Sequence, residues 1–193
     1  MKKTGFTLLE LVIVIGILAV LGAVSVLVLN PAQLFAQARD TTRIEDVSVM
    51  RNALALYLSM MSSPDMDGGI DNCSNKCFVA NASVGANCDS RHGTKVTTAD
   101  ITREVDGNGW IPVALSAIPV GAPLSVLPVD PTNDGTYFYS YSCDNTNKTF
   151  ELNVNLESSR YAAGGTDDRE SNTKDGGNNA NVYEIGTEGG LDI

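Results

Sequence analysis

A run of nineteen uncharged, mostly apolar residues, 11–29, lies close to the start of this 193-residue chain and limits what the rest can be. As a helix rising about 1.5 Å per residue it covers roughly 28 Å, close to the hydrocarbon thickness of a bilayer. Lys2 and Lys3 precede it and no basic residue follows before Arg39. The positive-inside bias therefore keeps the N-terminus in the cytoplasm and places everything after Asn30 outside. The expected molecule is a single-pass protein of the cytoplasmic (inner) membrane.

One carboxylate disturbs this pattern. Glu10 stands at the head of the apolar run, where a charge costs a few kcal/mol and marks a functional residue in need of a partner. No basic side chain on its own helix is within reach. Cleavage between Gly5 and Phe6 would create an α-amino group with a reference pKa near 8, protonated at neutral pH and four residues from Glu10. A secretory signal peptide fits less well, because its apolar core is shorter and precedes the cut, whereas here the run begins after the glycine. A plain membrane anchor leaves Glu10 without a purpose.

These residues, GFTLLELVIVIGILAVLGAV, resemble the N-terminal signature of type IV pilins and the related type II secretion pseudopilins. The resemblance implies a basic leader, residues 1–5, removed by a prepilin peptidase on the cytoplasmic face, with N-methylation of Phe6. It also implies that Glu10 is linked to the Phe6 amine of a neighbouring subunit during assembly. The implied partners are copies of the chain and related minor pilins, an assembly ATPase, a platform membrane protein, and the bilayer before assembly.

Asn30-Pro31 interrupts the helical pattern, since proline removes a backbone hydrogen bond and disfavours helix at the residue before it. A kink is expected at Pro31, and the resemblance implies loosening between residues 21 and 31 in the assembled state. Apolar residues then recur at three- or four-residue spacing from Leu34 and Phe35 through Ile44, Val47, Met50 and Leu54 to Met61, with Arg39, Asp40, Arg43, Glu45 and Arg51 between them. This is an amphipathic helix, and with the first segment it spans roughly 80 Å. The small residues Gly16, Ala19, Gly22 and Ala23 suit either general tolerance of glycine in membranes or close helix packing.

The remaining length accommodates one external domain. Residues 63–108 form a Gly-, Asn- and Asp-rich loop carrying Cys73, Cys77 and Cys88, with Cys143 following later. Four cysteines in an oxidising compartment suggest two disulfides, with three connectivities open; at least one loop cysteine reaches the sheet if all four pair. A zinc site is the rival, with poor spacing for it. Residues 109–157 contain a proline-rich apolar connection and two alternating runs, 137–142 and 149–156, read as an antiparallel hairpin. On the second run Phe150, Leu152, Val154 and Leu156 share the face towards the helix, leaving Glu151, Asn153 and Asn155 for water. The LPVDP turn leading into these strands also resembles pseudopilins. Residues 158–193 are an acidic, loop-rich tail.

The expected fold is therefore α+β and pilin-like: a leader at 1–5, a transmembrane helix and filament core at 6–30, an amphipathic helix at 31–62, and a domain at 63–193 with a small antiparallel sheet. The formal charge of −10 becomes about −12 without Lys2 and Lys3, which disfavours extensive nucleic-acid binding. Asp65, Asp67 and Asp71, and Asp167, Asp168 and Asp175, are weak calcium candidates beside the simpler reading of solvated acidic loops. His92 stands alone in a Ser-Arg-His-Gly loop, expected exposed, and no catalytic constellation accompanies it. The sequence describes a structural subunit without enzymatic activity or an obligate cofactor. A type IV pilus, a type II secretion pseudopilus and a monomeric membrane-anchored binding module remain alternatives.

Overall fold

The computed structural model describes residues 5–69 and 73–193, the side chain of Leu27 excepted. Helix α1, Leu8–Leu29, starts at Thr7, whose hydroxyl accepts the Glu10 amide at 3.2 Å. It stops at Asn30, which adopts the left-handed conformation with φ 38°, and helix α2, Pro31–Met60, begins at once with proline in its first turn. Proline is tolerated there because the first amides of a helix lack intrahelical acceptors in any case. The expected interruption at Pro31 is thus a one-residue break at Asn30.

Helix α2 packs on a five-stranded sheet with β1 Lys76–Val79, β2 Val96–Ala99, β3 Tyr139–Asp144, β4 Thr149–Val154 and β5 Tyr183–Gly186, in the order β2-β1-β3-β4-β5. The fold is α+β and pilin-like. The β3–β4 hairpin forms as alternation predicts, but β3 begins two residues later than expected and takes in Cys143 and Asp144, and β4 ends at Val154. The sheet is mixed, not wholly antiparallel, because β1 and β2 run parallel. Sixteen residues separate the two strands, 80–95, enough for the crossover a parallel pair needs.

One face of the sheet carries Phe78, Tyr139, Tyr141, Phe150, Leu152 and Val154, all buried against Val47, Met50, Leu54 and Tyr57 of α2. The proline-rich connection covers the same core with Trp110, Ile111, Val113, Leu115 and Leu127. Its prolines exclude a long helix, and the backbone polar groups find other partners: the Trp110 indole donates to the Pro128 carbonyl and the Arg103 guanidinium to that of Leu127. The tyrosines pack, as their spacing suggests, and their hydroxyls are used: Tyr139 donates to Asp46 of α2 at 2.8 Å and Tyr141 to the Met66 carbonyl at 2.9 Å. Leu34 and Phe35 are excluded from this core and remain exposed, so the apolar stripe of α2 enters the domain only at Ala36.

All four cysteines are bridged. Cys73–Cys143 ties the loop to β3 across 70 residues of chain, and Cys77–Cys88 closes an 11-residue loop between β1 and the crossover. A loop of that larger size is worth about 4 kcal/mol through the unfolded state. Replacing Cys73 and Cys143 together by serine should therefore lower unfolding stability by roughly that amount in urea titration, while losing the shorter bridge costs less. Equal effects would show that loop length is not what matters here.

Candidate functional site

Glu10 occupies the third position of α1, and Thr7-Leu8-Leu9-Glu10 has the spacing of a capping box, in which the first residue's hydroxyl accepts the amide of the fourth. The cap and the helix dipole favour a carboxylate in this first turn, a local role the charge argument alone overlooks. Neither supplies a full positive charge. Among the described residues no ion pair reaches Glu10, and both Glu10 and Phe6 are exposed, Phe6 by 83%. Gly5 is exposed too, and a Cβ there would meet nothing within 4 Å. The fold itself places no steric demand for glycine at this position.

Every described side chain of α1 is exposed, and its best eighteen-residue window has a mean hydropathy of 3.1 with none of it buried in the domain. A core helix of a soluble protein would be covered; this one stands clear of its own domain, with a length and composition able to cross a membrane. Apolar surface continues past the Asn30 break onto Leu34 and Phe35. Cβ atoms at Gly16 and Gly22 would likewise meet nothing within 4 Å, so within a single chain neither glycine is needed for packing.

Residues 1–26 match a family model described as the prokaryotic N-terminal methylation motif. The N-terminus carries the type IV pilin and pseudopilin signature. No curated protein and no solved structure matches the chain. The signature covers Gly5, Phe6 and Glu10 and most of α1, the segment that the fold leaves uncovered.

The domain is joined to α2 by a buried charge cluster that helical periodicity alone misassigns to the solvated face. Arg43 is fully buried and donates to Asp130 of the LPVDP turn at 2.7 and 3.0 Å, to Asp40 at 2.8 Å, to Thr132 at 3.0 Å and to Glu157 at 3.2 Å. Asp40 in turn accepts the amides of Glu157 and Ser158, while Arg39 adds a two-pronged pair with Glu157. Burial disfavours the Arg43 charge, but hydrogen bonds to Asp130, Asp40 and Glu157 outweigh it and raise its pKa. The cluster pins α2, the LPVDP turn and the segment after β4 together, so the domain follows the helix as one body.

The calcium candidates are largely engaged as loop scaffolding. Asp168 accepts the amides of Gly164, Glu170 and Ser171 and the Ser171 hydroxyl, which hold its pKa down at about 2. Asp175 accepts from Gly177 and Glu184, while Asp67 accepts from Gly69, Cys73 and Asn145. Asp65 caps the Asp67 amide, and Asp167 pairs with Arg169 at 3.3 Å. Asp71 lies outside the described residues. Among those residues no group of three or more His, Cys, Asp or Glu side chains is arranged to hold a metal.

His92 corrects a simpler expectation: it is buried on the far face of the sheet from α2. Its Nδ1 lies 2.9 Å from the Ile193 backbone oxygen and its Nε2 2.9 Å from the Ser140 hydroxyl. The backbone oxygen can only accept, so Nδ1 carries the proton and Nε2 accepts from serine. Glu151 stands 3.5 Å from Nδ1, giving a Ser-His-Glu row. All three are at most 2% exposed, and burial drives the imidazole pKa down to about 3. A hydrolytic triad needs access for a substrate, and this row has none. Glu151 and Asn153, expected to face water, are buried here as well.

Proposed function

We propose that this chain is a structural subunit of a type IV pilus-like filament, held in the cytoplasmic membrane by α1 until it is processed and assembled. The observation that carries the reading is the coincidence of the methylation signature at residues 1–26 with an apolar helix left wholly uncovered by its own domain. In this reading a prepilin peptidase cuts between Gly5 and Phe6, and Phe6 is N-methylated. Glu10 then pairs with the Phe6 amine of an adjoining copy as an assembly ATPase and a platform protein draw the subunit into a helix. The lack of any intrachain demand for glycine at position 5 supports recognition from outside, by the peptidase active site.

The apolar surface of α1, extended by Leu34 and Phe35, becomes the filament core, and the Arg43 cluster carries the disulfide-braced domain on the outside. Replacing Gly5 by tryptophan should leave residues 1–5 attached, read as a chain still beginning at Met1. Recovery of a chain beginning at Phe6 from that variant would count against the cut site. Visible surface fibres built from this subunit are the expected assembly.

A second reading, a subunit of a type II secretion pseudopilus, draws on the LPVDP turn, whose Asp130 seats Arg43. Absence of surface fibres, together with loss of an exported protein when the chain is deleted, would favour it. Recovery of monomers alone after crosslinking in intact membranes would favour an anchored binding module over both.

A further inference from the structure

The apolar run of α1 ends at Leu29, and the interfacial zone beyond the hydrocarbon of a bilayer is roughly 5–8 Å deep on each side. Gln33 lies four residues further on, about 6 Å at helical rise. The domain begins at this same height. Gln33 Oε1 accepts both the amide and the hydroxyl of Ser159, at 3.0 and 2.9 Å, so the loop after β4 is fixed to the first turn of α2. No stalk separates the end of α1 from the underside of the domain.

The side chains at this height suit a lipid surface. Leu34 and Phe35, which the domain leaves uncovered, are 52% and 66% exposed. Next to Ser159, Arg160 is exposed and its guanidinium carbon lies 5.1 Å from the centre of the half-buried Tyr161 ring. Leucine and phenylalanine enter the boundary between headgroups and acyl chains, while arginine and tyrosine keep a polar end in water. The carboxylates nearby are occupied: Glu157 by Arg39 and Arg43, and Asp168 by loop amides and the Ser171 hydroxyl. Asp167 is shared between Arg169 at 3.3 Å and a single Arg160 nitrogen at 3.5 Å, which leaves Arg160 with donors for a phosphate oxygen.

We infer that, before assembly, the underside of the domain rests on the phospholipid surface, with Leu34 and Phe35 set into the acyl boundary and Arg160 meeting lipid phosphate. The inference rests on α1 spanning the membrane, as proposed above, and adds a second lipid contact made by the domain itself. Drawing a subunit into a filament then requires lifting the domain off the lipid as well as withdrawing the helix. The opposite end of the domain faces away. From Gln33 to Tyr57 α2 rises roughly 36 Å. The Tyr57 hydroxyl accepts the Asp65 amide, and Asn145 in the β3–β4 turn accepts the next one, that of Met66, beside the exposed Thr146.

Because the four native cysteines are bridged, one added cysteine takes one nitroxide label. The full chain is labelled in turn at Leu18→Cys, Ser159→Cys and Thr146→Cys in phospholipid nanodiscs carrying a nickel-chelating lipid; Ser159→Cys keeps the backbone amide that bonds Gln33. Headgroup nickel should relax the label at 159 several-fold more than the label at 146. Adding Phe35→Ser and Arg160→Gln, both at exposed positions, should at least halve the effect at 159 and leave the label at 18 unchanged. Dissolved oxygen, which concentrates in hydrocarbon, should relax the label at 18 most. Failure of that last result would remove α1 from the bilayer and take the filament reading with it. With the label at 18 deep, equal nickel relaxation at 159 and 146, or indifference of 159 to the double change, would overturn the lipid contact alone.

Discussion

Filaments should fail to form from Glu10→Gln as completely as from Glu10→Ala. The two variants separate the cap that the structure shows from the pairing proposed for this residue. Glutamine preserves the Thr7-x-x-Glu10 cap geometry and nearly the same volume, but not the charge. If capping were the purpose, glutamine would assemble normally. If the carboxylate answers the Phe6 ammonium of the next copy, either change leaves that ammonium unpaired in an apolar core. Truncating one partner of a buried pair costs about 3–5 kcal/mol, roughly two to nearly four orders of magnitude in association per subunit. Leader removal should continue in both variants, because the cut precedes the pairing. Processed but unassembled chain in the membrane fraction is the expected readout, and abundant fibres from Glu10→Gln would show that the cap suffices.

The second large effect belongs to Arg43. Arg43→Ala should destabilise the domain by about 3–5 kcal/mol in urea titration of the detergent-solubilised chain, since it leaves Asp40 and Asp130 buried without their cation. Arg43→Lys should recover only part of this, because one ammonium cannot reproduce the fork that meets Asp130 with two nitrogens and Asp40 with a third. The neutral triple change Arg43→Met, Asp40→Asn, Asp130→Asn should cost less than Arg43→Ala alone, as it keeps acceptors for the backbone amides and leaves no fully buried charge unpaired. A loss below about 1 kcal/mol for Arg43→Ala would mean that water reaches the cluster.

How legible these features are in the sequence follows from where their partners lie. Helices α1 and α2 are legible because their signals are local: an uncharged run long enough for a bilayer, a 3.6-residue stripe, and Asn30-Pro31 between them. The β3–β4 hairpin is legible for the same reason, from period-two alternation on either side of a polar turn. Strands β1, β2 and β5 are four residues each, too short for a period to show, and their pairing depends on contacts far along the chain. Arg43 and Asp40 resemble a solvated helix face until Asp130, 87 residues away from Arg43, arrives to bury them. Glu151 and Asn153 are misread by the assumption that polar residues on an alternating strand face water, and His92 by the assumption that a polar loop residue is exposed; here Ile193 and the Arg91–His92 turn lie on that face. At the N-terminus the residues are legible, and Thr7 adds the cap that the charge argument passes over.

The junction between Gly5 and Phe6 decides whether this chain is a filament subunit. Intact-mass and terminal sequencing by mass spectrometry of the chain isolated from its own cells should show a first residue of Phe6 carrying an N-methyl group, with all four cysteines bridged. A mature chain that still begins at Met1, or a Phe6 terminus found only in an unassembled pool while fibres contain the full-length form, would contradict it.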